Sequence, residues 1–250
     1  MILSGLGAMI HHLRRKLART IIIDRAPTKA RSMIERIARR RAAGNYMFAS
    51  RFVAGKDVLD IGGGEGTGHG YLLACHPTRV VSIDLHAGTG EKKNPDSRLT
   101  YLHGDFLRYR FPDNSFDVLL CIGTIFLLPD HDAAFRKMDR LLRPGGILII
   151  NCINPELICR YFGMRLHDID IKYGKSYTAR ELSDTLVQHF HAIPDVYVQQ
   201  PVADPAGRYA AIRMWIAPLR WLFSRHSVCA STPRVVGVFN YFVVRKAASA

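Results

Sequence analysis

Residues Val58 to Gly70 read VLDIGGGEGTGHG, and this stretch decides the fold. A short apolar run ends in an acid, Asp60, and opens into a turn with glycines at 62, 63, 64, 66, 68 and 70. That order predicts a strand feeding a glycine-rich loop and then a helix. Glycines let a ligand approach bare backbone, and a helix start offers unpaired N–H groups and the positive end of a dipole. So many glycines weaken a fold unless something needs the space. The loop suits a nucleotide-like ligand.

Spacing narrows the choice. A dinucleotide fingerprint needs G-x-G-x-x-G, but counting from Gly62 and Gly64 the third position is Thr67, and from Gly64 and Gly66 it is His69. A P-loop fails too, because no Lys-Ser or Lys-Thr pair follows the glycines. What fits is D-x-G-x-G-x-G, with Asp60, Gly62, Gly64 and Gly66. This pattern resembles the first motif of class I S-adenosylmethionine-dependent methyltransferases, of the type 11-like kind. The resemblance implies that the loop, Gly63 included, carries the methionine end of S-adenosylmethionine, and that Asp60 orients the loop.

The next segments extend the likeness. Arg79 to Ile83 is a buried-strand pattern ending at Asp84, where an acid reads a ribose in nucleotide-binding βαβ units. Leu99 to His103 predicts a third strand, leading into Gly104-Asp105-Phe106. In the family such a pair places a carboxylate, here Asp105, near the adenine amino group, with Phe106 against the ring. Leu85 and Cys121 complete the set of cofactor-binding residues that the resemblance implies. Phe116 to Cys121 reads as a buried strand, Asp132 to Leu142 as a helix with an apolar stripe, and Ile147 to Asn151 as a strand started by Pro144-Gly145-Gly146. The stretches SFDVLLC and LLRPGGILII are similar to the family's middle motifs, so the resemblance runs from about Tyr46 to Asn151.

Strands alternating with helices predict an α/β fold. The family implies a Rossmann-like, doubly wound, seven-stranded and mostly parallel sheet with an antiparallel last strand. Thr178-x-x-Glu181 is a capping box for a helix to Phe190, and Val196 to Gln200 and Val235 to Val244 read as further strands. The expected organisation is a basic helical cap over 1–45 and a methyltransferase domain over 46–250, with a basic aromatic insertion at about 201–232. From the cap side, Tyr46 and Arg51 are placed to approach the cofactor.

The family's pattern is broken at one place. Relatives often carry a histidine after the fourth strand, whereas here Gly123 to Leu128 reads GTIFLL, with no ionisable group before Asp130. No catalytic base carries over. His167, Asp168 and Tyr173, after the fifth strand, lie on the side where acceptors enter such folds.

Composition bounds the rest. The five cysteines show no CxxC pair and the histidines no ligand cluster, which points to reduced thiols in a cytoplasmic protein and to no metal site. No apolar run approaches a membrane span. The net charge of +14 is uneven: +9 over residues 1–45, +6 over 201–250 and −1 between them. Basic helices are expected over 10–20 and 28–42, and Arg208 to Arg225 mixes four arginines with Trp215, Trp221 and Phe223 and no acid. That segment reads either as a lid over the acceptor pocket or as an interfacial helix holding the protein peripherally on an anionic inner membrane face. Nucleic acid is the rival partner for basic ends. Against it, the fourth-strand end lacks the Asn/Asp-Pro-Pro-aromatic box and the Pro-Cys nucleophile of base methyltransferases. The expected reaction is methyl transfer to an oxygen or nitrogen of a small-molecule, sugar or lipid-linked acceptor. An RNA methyltransferase and a silent cofactor-binding protein are the alternatives.

Overall fold

The computed structural model describes residues 43–86, 96–153, 155, 177–203, 228–230 and 235–248. The basic helices expected over 10–20 and 28–42, the aromatic segment 208–225, and His167, Asp168 and Tyr173 lie outside these residues. A helical segment over 43–49 precedes the first strand.

Five strands follow with their helices: β1 (Asp57–Ile61), α1 (His69–Leu73), β2 (Arg79–Asp84), β3 (Leu99–His103), β4 (Phe116–Cys121), α2 (His131–Leu141) and β5 (Leu142–Ile153). The chain continues through α3 (Ala179–Phe190), β6 (Asp195–Ala203), β7 (Val228–Ala230) and β8 (Val235–Arg245). The sheet order is β3-β2-β1-β4-β5-β8-β6-β7. Strands β1 to β5 run parallel, and β8 inserts antiparallel between β5 and β6. The seven expected strands are therefore present, with the last one antiparallel. An eighth, β7, adds three residues antiparallel to the outer edge of β6. Three residues show no alternation that a sequence reading can detect.

The central parallel strands β1 and β4 are buried on both faces, as strands covered by helices must be. On one face Leu59, Leu119, Leu148 and Phe242 meet Phe135 and Met138 of α2 and Leu182, Leu186 and Phe190 of α3 in one buried cluster. Burying each such side chain contributes about 1.5–3 kcal/mol. Both helices are started by side chains. Asp130 caps α2 by accepting from the Ala133 N–H, and Thr178 with Glu181 forms the expected capping box on α3.

The Pro144-Gly145-Gly146 boundary differs from expectation. Strand β5 begins at Leu142, immediately after α2, and not at Ile147. Its pairing with β4 shifts register between Phe116 and Val118, and Gly145 takes φ +76°. The glycines thus make an irregularity inside the strand, where a left-handed residue is needed.

The amino ends of β1 and β4 are tied by Arg143, whose guanidinium reaches Asp57 at 2.8 Å and Asp117 at 2.9 Å. Burial would raise the Asp117 carboxyl, but the Asp57 N–H and Arg143 outweigh it and hold it below the ordinary carboxylate range. This polar knot closes one edge of the sheet. The carboxyl ends of the same strands carry the site at the opposite edge.

Candidate functional site

Strand β1 delivers Asp60 and Ile61 to the carboxyl edge, where the Gly62 N–H donates to the Ile83 carbonyl at 2.8 Å and turns the chain outward. The glycines that follow serve two purposes. A Cβ on Gly63 would lie 2.2 Å from Ser82 Oγ and 2.6 Å from Asp60 Oδ2, and one on Gly68 would lie 2.0 Å from the Tyr46 ring. Those glycines are demanded by the protein's own packing. Gly62 is likewise closed in by Thr124 and Gly66 by Tyr101. Gly64 is different: it takes φ +58° and a Cβ there would meet nothing within 4 Å. Its N–H donates to Asp84 Oδ2 at 2.9 Å. The cradle opens at Gly64.

Beneath the loop lies a buried polar network that the sequence reading did not find. Asp60 is fully buried, and its Oδ2 accepts from the Tyr46 hydroxyl at 2.8 Å and from His69 Nε2 at 2.7 Å. His69, also fully buried, meets the Tyr101 hydroxyl through Nδ1 at 3.0 Å. A carboxylate only accepts, so Nε2 donates to Asp60, while Nδ1 pairs with the Tyr101 hydroxyl. Burial and the neighbouring Asp60 charge push the Tyr46 phenol well above its ordinary range, so it stays a donor. Tyr46 lies against the loop, its ring beside Gly68. Arg51 instead stacks its guanidinium 5.7 Å from the Phe48 ring and 6.0 Å from the Phe52 ring. The signal for His69 was slight, a histidine opening the helix after the loop. Tyr101 is 32 residues away and carried no signal.

The other expected residues gather at the ends of β2, β3 and β4. Asp84 accepts from the Gly64 N–H and, through Oδ1, from the His86 N–H at 2.7 Å. Leu85 leaves its side chain 59% exposed beside it. The Gly104 N–H donates to the Asp84 carbonyl at 3.1 Å, which brings the Asp105 turn next to β2. Asp105 Oδ1 accepts from the Leu107 N–H at 2.8 Å. Phe106 is buried in the core, with the Lys137 ammonium 4.9 Å from its ring centroid. Cys121 is fully buried, and burial and then the Asp60 charge push its thiol up, so it remains protonated.

The apolar turn after β4 is built on Gly123, at φ +68°, whose N–H donates to Asn151 Oδ1 at 2.6 Å. Ile125 to Leu127 forms a short 3-10 turn that buries Ile125 and exposes over half of Leu127. Thr124, just before it, lies against Gly62 at the end of β1.

Two carboxylate oxygens by the loop, Asp60 Oδ1 and Glu65 Oε2, are buried without a hydrogen-bond partner. Leaving such groups unsatisfied is costly. They suit a ligand with a cationic or N–H-donating end and would repel a pyrophosphate. With the opening at Gly64, this edge fits the ammonium-bearing methionine end of S-adenosylmethionine.

Comparison with known proteins agrees. Residues 59–150 match the methyltransferase domain family. The chain is 30% identical over 100 residues to a sterol 24-C-methyltransferase of Aspergillus fumigatus, covering 37% of this chain and 26% of that one. It is 31% identical over 108 residues to a fatty-acid O-methyltransferase of Mycolicibacterium smegmatis, covering 42% and 39% respectively. In fold it resembles an S-adenosylmethionine-dependent methyltransferase of Thermotoga maritima with a TM-score of 0.60 at 19% identity, covering 83% of this chain and 90% of that one. The matched region spans only about a quarter to two fifths of the two curated relatives. Over residues 59–150 the chain matches the methyltransferase domain family, and it shares its fold with a solved S-adenosylmethionine-dependent methyltransferase.

Proposed function

We propose that this protein moves the activated methyl group of S-adenosylmethionine to an oxygen or nitrogen of a small-molecule, sugar or lipid-linked acceptor. The observation that carries the reading is the opening at Gly64, where the same N–H that lines the loop is held by Asp84. When bound, the cofactor supplies an electrophilic methyl on its sulfonium. The protein's part is to bind, orient and exclude water.

In this reading, Asp60 Oδ1 and Glu65 Oε2 face the ammonium, and Gly62, Gly63, Gly64 and Gly66 shape the methionine end. Asp84 accepts from the ribose hydroxyls, and a carboxylate's roughly four acceptor sites let one side chain hold both loop and sugar. Leu85 supplies apolar surface to the nucleoside, and Asp105 reads the adenine amino group. Phe106 and Cys121 pack beneath these groups.

The acceptor side is supported by the apolar turn over 123–128, which gives a greasy molecule a surface and offers no charge to a soluble metabolite. The names of the curated relatives, a sterol and a fatty-acid methyltransferase, favour the same class. The basic ends, +9 over 1–45 and +6 over 201–250, support a peripheral position on the inner face of a membrane, where each basic residue contributes about 1 kcal/mol before screening.

The test is to incubate a host extract with methyl-labelled S-adenosylmethionine and the protein. Label is expected in the lipid or low-mass fraction. Label in RNA would contradict the acceptor class. Tight cofactor binding with no labelled product in any fraction would contradict transfer.

A further inference from the structure

Lys137 lies on α2, yet it is only 8% exposed and its amine points away from water. Its Nζ donates to the Phe106 carbonyl at 2.6 Å, the Leu107 carbonyl at 3.3 Å and the Tyr109 carbonyl. An ammonium has three N–H donors, and three carbonyls receive them. The same ammonium stands 4.9 Å from the Phe106 ring centroid and 5.9 Å from that of Phe111. A desolvated cation gains from ring faces and carbonyl dipoles together.

All three carbonyls belong to one coil. The Asp105 carbonyl accepts from the N–H groups of Arg108 at 3.1 Å and Tyr109 at 2.8 Å, and the Asp105 carboxylate caps the front of the coil at Leu107. A single helical turn has orphan carbonyls at its far end. Lys137 satisfies that end, Asp105 the front. The residue that would face the nucleoside is therefore held in place from α2.

We propose that Lys137 is a positioning residue for base selectivity: by pinning the 105–109 coil to α2 it sets Asp105 for a purine bearing a 6-amino group against one bearing a 6-oxo group. This rests on the cofactor reading above. No chemistry at Lys137 itself is involved; it acts through Asp105.

The experiment is calorimetry with S-adenosylhomocysteine and its deaminated counterpart, S-inosylhomocysteine. Wild type should prefer the adenosyl ligand. Lys137→Met should weaken the adenosyl ligand about tenfold, the worth of roughly one good hydrogen bond, and leave the inosyl ligand near its wild-type affinity. Lys137→Arg, which keeps carbonyl donors, should restore most of the preference and also covers the case in which the methionine variant does not fold. In an Asp105→Asn background the Lys137 effect should vanish. Equal weakening of both ligands, unchanged affinity for both, or no preference in a folded arginine variant would overturn the proposal. A wild type that binds neither ligand would overturn the cofactor reading beneath it, a distinguishable result.

Discussion

The Tyr46 hydroxyl donates to Asp60 Oδ2 across 2.8 Å, and this bond fastens the helical segment before β1 to the floor of the glycine loop. The phenyl edge of Tyr46 sits where a Cβ on Gly68 would be, so the ring also explains that glycine. Through His69 the network reaches Tyr101 on β3. Three segments of the chain are thereby locked around one buried carboxylate.

Removing one of its donors should be measurable. Tyr46→Phe keeps the ring against Gly68 and deletes only the hydroxyl. A hydrogen bond to a buried charged group is worth about 1.5–3 kcal/mol, so the variant should unfold in urea with stability lower by that amount. A loss below half a kcal/mol would show that the network is slack.

The glycines should separate into two kinds. Gly64→Ala has steric room, so its cost in stability should be only that of a left-handed alanine, about 1–2 kcal/mol, while the methyl intrudes on ligand space and removes S-adenosylhomocysteine binding. Gly63→Ala collides with Ser82 and Asp60 and should destabilise the fold more than Gly64→Ala does. Urea unfolding and calorimetry on both variants check this. Wild-type binding by Gly64→Ala would mean that no ligand lies against that residue.

Acid should weaken the fold through His189. Its imidazole is stacked 5.3 Å from the Phe135 ring centroid, and burial, then the Arg136 charge, hold its pKa below the ordinary 6.5. Asp132 stands 3.3 Å away, but Arg136 pairs with that carboxylate and blunts its pull. Because the unfolded chain takes up this proton first, the contribution is full above pH 6.5 and is lost as pH falls through the lowered folded value. His189→Gln should flatten the slope of urea-derived stability in that window. An unchanged slope would assign the acid sensitivity elsewhere.

Much of this was legible from residue order, and the reasons are local. A strand feeding a glycine turn, an acid closing β2, and the Thr178–Glu181 capping box are patterns complete within a few residues, and the structure forms all three. The eighth strand and the break at Gly145 depend on what the chain pairs with, so no local pattern announced them. The same holds for His69, which reads as an ordinary helix residue until β3 brings Tyr101 beside it. Lys137 reads as a solvated position next to a buried stripe, and only the coil after β3, about thirty residues earlier, draws it inward. Phe106 was expected against a ligand ring, and in the structure that ring carries Lys137 and joins the core.

The central claim is that the edge formed by Gly64 and Asp84 holds S-adenosylmethionine. The most direct measurement is the affinity of S-adenosylhomocysteine for wild type and for folded Asp84→Ala, read by calorimetry. Loss of charge-assisted hydrogen bonds to the ribose should weaken binding by about 1.5–3 kcal/mol, roughly ten- to a hundred-and-fifty-fold. Equal affinity in the two proteins, or no binding by wild type, would contradict it.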